Sequence, residues 1–368
     1  MERIKAFIKK EAVLCIAAVL AVVSMFFVPP DGEYPGYIDF RTLCLLFSLM
    51  TVVAGFRDAG TFSAMSHTLL RRVHSSRGVV LCLTLICFFS SMLITNDVAL
   101  LTFVPLSILL LNSAGLNRLT VLTVTLQTIA ANLGSMLTPI GNPQNLYIYS
   151  LSGMHIGRFI LTLLPYALFS LLLLVLSCFF VKKESAAPQT GDAPKRNTRT
   201  EIICAALFIL SLLSVLHVLE AWIAALVTAV IIFIYNRKLL KRVDYCLLLT
   251  FICFFVFIGN MGRIEPIRVF LSTFITGREM LTGALLSQII SNVPAAVLLS
   301  AFSENWTQLL IGVNIGGLGT LIASLASLIS YKLYAASDNA DSKRFMLVFT
   351  GFNVVFFVLL TALWVILP

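Results

Sequence analysis

Charge is what this chain has least of. Of its 368 residues only 12% are Asp, Glu, Lys or Arg, against 59% hydrophobic. That balance excludes a soluble globular domain and a disordered chain alike. Segments of alternating hydrophobicity are also lacking, which argues against a transmembrane β-barrel. No HExxH, no pair of membrane aspartates and no P-loop occurs, so neither a hydrolase nor ATP-driven transport by this chain is expected, and no cofactor beyond a coupling ion. The eight cysteines (Cys15, Cys44, Cys82, Cys87, Cys178, Cys204, Cys246, Cys253) form no CxxC or Cys/His set and read as small buried hydrophobes. The four histidines (His67, His74, His155, His217) are scattered near segment ends.

What is present is apolar length. Mean hydropathy is +0.98, and runs of about 20 apolar residues recur, each enough to span a bilayer. The expected class is an all-α polytopic membrane protein. Net charge is +9, but with the N-terminus placed in the cytoplasm all of the 26 Lys and Arg fall inside except Arg41, Arg158, Arg263, Arg268 and Arg278. This positive-inside bias accounts for the basicity through the lipid bilayer of the cell's inner membrane and leaves no role for nucleic acid. The run at 12–28 follows a basic tail without a small-residue cleavage site and reads as a first spanning helix. Further helices are expected at 40–54, 119–150, 159–181, 201–218, 221–235, 244–261, 309–334 and at the end of the chain, about nine full spans.

Two polar triplets, Thr95-Asn96-Asp97 and Ser291-Asn292-Val293, interrupt the remaining apolar stretches, 79–111 and 281–302. Flanks of roughly 15 to 17 residues around the first fall short of a span, and no loop separates them. Both stretches therefore read as re-entrant hairpins with their triplets at the tips. Each is followed by a helix broken at Gly-containing polar residues: Thr138-Pro139-Ile140-Gly141-Asn142-Pro143-Gln144-Asn145 in one, Asn314 to Ser324 in the other. Asn132-x-Gly134-x-x-x-Thr138 matches Asn314-x-Gly316-x-x-x-Thr320, and Asn96 matches Asn292. The expected organisation is an inverted repeat: 1–183 with its hairpin from the cytoplasmic side (tip 95–97), a linker and connecting helix at 184–220, and 221–368 with its hairpin from outside (tip 291–293). Paired interruptions of this kind point to a transporter binding site at the bilayer midplane.

Asp97 is the one carboxylate deep in an apolar stretch, a position that is costly and functional by default, although a hairpin-tip cap is the competing reading. Asn96 and Asn292 each donate and accept and suit an oxyanion, a hydroxyl or a sodium shell. Substrate contacts are expected from Thr95, Asn96, Thr138, Asn142, Ser291, Asn292, Asn314 and Thr320. Ion coupling is expected from Asp97, Asn96, Gly141 and Asn292, and a Na⁺ ion would sit at Asn96, Asp97 and Asn292. Arg57-Asp58 and Arg263-Glu265 read as solvated helix ends, Gln288 as a weak candidate, Gln144 and Asn145 as caps, and Ser324 as a packing residue.

The stretches TNDVALLTFVP (from Thr95), GSMLTPIGNPQN (from Gly134), SNVPAAVLL (from Ser291) and NIGGLGTLIASLASL (from Asn314) resemble the ion transporter superfamily. It includes arsenite permeases, NhaD-type sodium/proton antiporters, citrate permeases and divalent-anion symporters. The resemblance implies two hairpins, two broken helices and one central site. Divalent-anion symporters typically carry Ser-Asn-Thr at both tips; here Asp97 and Val293 depart from it, and the Asn-Asp tip is closer to the arsenite permeases. The second break has Leu321 in place of Pro139 and no Pro-x-Asn. The resulting expectation is a secondary transporter of a small anion or arsenite-like oxyacid, coupled to H⁺ or Na⁺, working by alternating access and forming a homodimer through its scaffold helices. A Na⁺/H⁺ antiporter is the alternative, and a passive channel is the reading from another class.

Overall fold

Apolar helices with polar caps build the whole of the computed structural model, which describes residues 11–62, 64, 73, 75–184, 196–337 and 340–367. The basic N-tail, Arg71, Arg72 and most of the expected linker lie outside these. Among the described residues there is no β-strand. The first half runs α1 (Ala12–Met25), α2 (Phe40–Asp58), α3 (Ser76–Ile94), α4 (Asn96–Ser113), α5 (Thr120–Ser135), α6 (Pro143–Ser152) and α7 (Ile156–Phe179). Then come α8 (Thr198–Val215), α9 (Ala221–Asn236), α10 (Tyr245–Arg263), α11 (Glu265–Ile275), α12 (Glu279–Ile290), α13 (Asn292–Ser300), α14 (Trp306–Ile315), α15 (Leu325–Ala335) and α16 (Ser342–Ile366). Side-chain caps start many of them: Asp39 accepts from Thr42 N, Asn142 from Asn145 N, Asp244 from Leu247 N and Asp341 from Arg344 N. Each satisfies one orphan amide that lipid would leave unpaired.

Among the described residues six helices are long and apolar enough to cross a membrane: α2, α3, α7, α8, α10 and α16. The expected nine spans counted five of these, the shorter α1 and α9, and the two broken helices. The sixth, α3, is an arm of the first hairpin. Its arms are longer than expected, 19 and 18 residues, about 28 Å each at 1.5 Å per residue. Length alone would therefore make them spans. The open ends of the two arms meet at one residue: Glu184 main-chain O accepts from Ser76 N, and the Glu184 carboxylate pairs with Arg118. In the second pair, Ser303 Oγ, just past α13, donates to Glu279 at the start of α12 over 3.0 Å.

Packing sorts the helices into two groups. α1 lies along α10, while α9 and α8 lie along α2. The first helix of each half thus packs on the second helix of the other. In the other group α3 and α4 pack on α5, and α12 packs on α14. Every residue of α5 except the half-buried Leu122 is buried. Close approach is what Gly134 provides, since a Cβ there would fall 2.1 Å from Phe88 O of α3. The segment 263–279, between the span expected at 244–261 and the second hairpin, contains α11. Val269, Phe270 and Phe274 of this helix are exposed, and Arg268 pairs with Glu265 at 2.8 Å. Eleven residues with charges at one end carry too short an apolar period to stand out from a loop.

Candidate functional site

The two tips share one backbone geometry. Thr95 has φ 69° and ψ 150°, Ser291 φ 75° and ψ 154°, a region that side-chain-bearing residues rarely enter. The chain reverses there without a loop, so each following half-helix starts inside the protein. The two breaks then latch to the hairpins in the same register. Thr138 Oγ1 donates to Met92 O and Thr320 Oγ1 to Gln288 O over 3.0 Å. Met92 and Gln288 each stand three residues before their tips.

Between the tips lies an interlocked set of amides. Asn96 Nδ2 donates to Asn132 Oδ1 (3.1 Å), while Asn96 Oδ1 accepts from Asp97 N (2.9 Å). Ser324 Oγ donates to the same Asn132 Oδ1 (3.0 Å), and Asn132 Nδ2 to Gly317 O (3.4 Å). Asn142 Nδ2 donates to Asn314 Oδ1 (3.2 Å), and Asn314 Nδ2 to Asn145 Oδ1 (2.7 Å). Both breaks are therefore stitched to each other across the halves, and buried networks of this kind hold a single arrangement firmly. Gly141 turns the first break tightly enough that a Cβ would meet Ser135 O at 2.1 Å. Ser291 and Asn292 close on the second break, with Asn292 N donating to Ala323 O over 2.9 Å.

Beside this network is a cavity of about 160 Å³ between the helix groups. One wall is α2 (Leu46, Leu49, Met50, Ala54, Arg57) with Arg242 and Asp244 ahead of α10; the other carries Thr95, Asp97, Val98, Ile140 and Asn142. Asp97 Oδ1 is buried without a hydrogen-bond partner. A buried carboxylate oxygen without a donor is expensive and marks where a ligand, a proton or a cation would be bound. At the mouth, Arg242 pairs with Asp58 at 2.7 Å, and Arg57 Nη2 donates to Leu101 O at 3.4 Å.

Of the residues singled out from sequence, Thr95, Asp97 and Asn142 line this cavity. Asn96, Gly141, Ser291, Asn292 and Asn314 are buried in the network around it. The structure does not bring Asn96, Asp97 and Asn292 to one shared surface: Asp97 faces the cavity, and neither asparagine is in its wall. Thr320 is exposed at the edge of the second break. Sequence reasoning passed over Arg57, Arg242 and Asp244, because a charge at a helix end reads as solvated. It also undervalued Asn145, Gln288 and Ser324, whose roles depend on partners 10 to 192 residues away. Outside the bilayer, the Arg263 guanidinium holds the Asp31 carboxyl below its usual range, and Arg118 does the same for Glu184.

The sequence profile described as "Citrate transporter" (CitMHS) matches residues 1–309. An uncharacterised transporter of Methanocaldococcus jannaschii is 35% identical over 317 residues, 84% of this chain and 85% of that protein. The inner membrane protein YbiR of Escherichia coli is 34% identical over 332 residues, 88% and 87% of the two chains. The silicon efflux transporter LSI3 of Oryza sativa subsp. japonica is 32% identical over 190 residues, 51% of this chain and 38% of that one. The YdaH transporter of Alcanivorax borkumensis superposes with TM-score 0.57 at 14% identity, over 96% of this chain and 95% of its own. That likeness shows the fold.

Proposed function

This chain belongs to the citrate transporter family CitMHS, and from that premise we propose that it is a secondary active transporter of the inner membrane that moves a small oxyacid or anion by alternating access. The family and the named transporters among its relatives carry the coarse statement, a multi-pass membrane transporter. The finer reading rests on one observation, the unpartnered Asp97 carboxylate in the wall of a cavity shared by the two helix groups. A group there would meet substrate and coupling ion together, and its charge is neutralised by a proton or balanced by a bound cation.

Charge balance narrows the cargo. The cavity wall carries Arg57 and Arg242 against Asp97 and Asp244, and Arg242 is already held by Asp58. A fully ionised tricarboxylate would meet no net positive field here, and two carboxylates would repel it. A neutral hydroxy acid, a monoanion, or an anion accompanied by a cation fits better. Silicic and arsenous acids are neutral near pH 7, and the similarity to a protein named a silicon efflux transporter supports this class. The amide-rich surroundings of Asn142 supply donors and acceptors suited to hydroxyl groups.

Reconstituted protein in proteoliposomes tests this directly. Arsenite, silicic acid or citrate flux is followed with and without an imposed pH or sodium gradient. Gradient-driven accumulation of one of them, lost in Asp97→Asn, is expected. Rapid flux indifferent to either gradient would instead identify a passive channel. Sodium/proton exchange with no solute flux would identify an antiporter, a reading that the Asp97 carboxylate in the cavity wall also accommodates.

A further inference from the structure

A helix broken inside a membrane leaves main-chain carbonyls unpaired, and such carbonyls are where transporters with discontinuous helices coordinate cations. Both breaks of this chain bring carbonyl oxygens together, the second with Ala284 O of α12 beside those of its own turn, and one side-chain amide already occupies each cluster. Asn145 Nδ2 lies 3.4, 3.0 and 3.2 Å from the carbonyl oxygens of Ser135, Met136 and Thr138. Gln288 Nε2 lies 3.0, 2.9 and 2.9 Å from those of Ala284, Gly316 and Leu318. An amide NH₂ has two hydrogens, so three oxygens converge on a centre that can fully pair only two. Convergence of oxygens on one electropositive point is the arrangement a cation would take. The orientation of the Gln288 amide is set at its other end, where Oε1 accepts from Thr320 N at 2.9 Å. Gly319, at φ 102°, makes room for it, since a Cβ there would fall 2.3 Å from Gln288 Oε1. The third carbonyl of this turn, Gly317 O, accepts from Asn132.

The two halves reach this result by different routes. Seven residues after the break threonine the first half has Asn145, and the second has Ser327. Three residues before the tip the first half has Met92, and the second has Gln288. The amide missing from the second broken helix is supplied by the second hairpin.

We propose that Asn145 and Gln288 are built-in occupants of the two carbonyl clusters, closing both helix breaks to sodium and leaving Asp97 to carry the coupling charge as a proton. The clause on coupling rests on the transporter reading above; the clause on the breaks does not. Asp97 shares its cavity with Arg57 from α2 and with Arg242 and Asp244 ahead of α10, Asp58 holding Arg242. Neither α6 nor α15 adds a titratable group to that wall, contributing Pro143, Leu146 and Ile329. Protonation of Asp97 removes its repulsion with Asp244, and deprotonation restores a charge opposite Arg57.

The test is a thermal-unfolding titration of the purified protein with sodium chloride against choline chloride at equal ionic strength, on wild type, Gln288→Ala and Gln288→Glu. Wild type is expected to respond equally to both salts. Gln288→Ala, with its cluster emptied, is expected to gain a sodium-specific rise of a few degrees, and Gln288→Glu a larger one. A sodium-specific rise in wild type overturns the proposal, as does a folded Gln288→Ala without one. Should neither variant fold, sodium calorimetry on wild type decides it: measurable binding overturns the closure of the breaks, and its absence upholds it. Proteoliposome flux driven by a pH gradient with choline replacing sodium supports the coupling clause, and a requirement for sodium overturns it. Failure of all flux would sink the transporter reading and leave the sodium titration standing.

Discussion

Asp97 and Asn96 are neighbours in the chain with opposite surroundings. Asn96 is pinned at both ends of its amide, to Asp97 N and to Asn132, and holds the tip in place. Asp97 Oδ1 has no donor, so its environment penalises the charged form on which the proposed coupling role depends. Asp97→Asn removes that penalty and is expected to raise stability by about 1 kcal/mol while gradient-driven flux falls at least about tenfold. Thermal unfolding and proteoliposome uptake read the two effects separately, and retained flux would remove Asp97 from the coupling step. The tip residues carry a second conflict. Ser291 sits at φ 75°, ψ 154°, where strain is of order 1–3 kcal/mol and glycine has none, although glycine loses about 1 kcal/mol to chain entropy. Ser291→Gly is therefore expected to leave stability unchanged or raise it by up to about 2 kcal/mol, measured by thermal unfolding. A loss of stability would mean that the weak 3.5 Å bond from Ser291 Oγ to Ala323 O matters more than the strain.

At the scale of elements, the breaks depend on each other. Asn132→Ala would leave Asn96 Nδ2 and Gly317 O without the Asn132 side chain and Ser324 Oγ without its acceptor, with only Ala326 N still donating to that hydroxyl. Each buried orphan costs about 1–3 kcal/mol, so a loss of at least about 2 kcal/mol is expected in thermal unfolding, against near-neutral behaviour for truncation of an exposed side chain such as Lys343. The base of the first hairpin carries a pH dependence. Arg118 depresses the Glu184 carboxyl, so the ion pair stabilises the fold above the ordinary glutamate range. That contribution is lost as pH falls through the depressed folded value. Hydrogen exchange at the open ends of α3 and α4 is expected to rise in that acid range in wild type and to be insensitive to it in Glu184→Gln. Much of this layer was legible in advance. Polar triplets in apolar runs have few stable placements in lipid, and the match of Asn132 and Thr138 with Asn314 and Thr320 registered the two breaks. The partners were not legible. Gln288 bonds residues up to 32 positions on, and no local period records such a contact. The arms of the first hairpin run longer than their apolar stretch because each extends into polar residues at its open end, Ser76-Arg77 and Asn112-Ser113, which an apolar run does not include.

At the scale of the molecule, each half exchanges helices with the other. α1 packs on α10 and α9 on α2, while the hairpins and broken helices pack among themselves. The charged and polar cavity lies where the two groups face each other, with α2 on one wall and the first tip on the other. Its mouth is marked by Arg57, Asp58 and Arg242, all on the side that positive-inside counting assigns to the cytoplasm. The proposed alternating access would require this seam to close while another opens on the far side. Ala54 on α2 and Val98 on α4 line opposite walls, and no native cysteine lies between them in that lining. Ala54→Cys/Val98→Cys joined by a short bifunctional thiol reagent is expected to abolish flux, whereas either single variant treated alike keeps it. In inside-out vesicles both positions are expected to react with a membrane-impermeant maleimide, and in right-side-out vesicles to react only when substrate is cycling. A cross-linked double variant that transports at the wild-type rate would show that the two helix groups move as one body and would require a different route across the membrane.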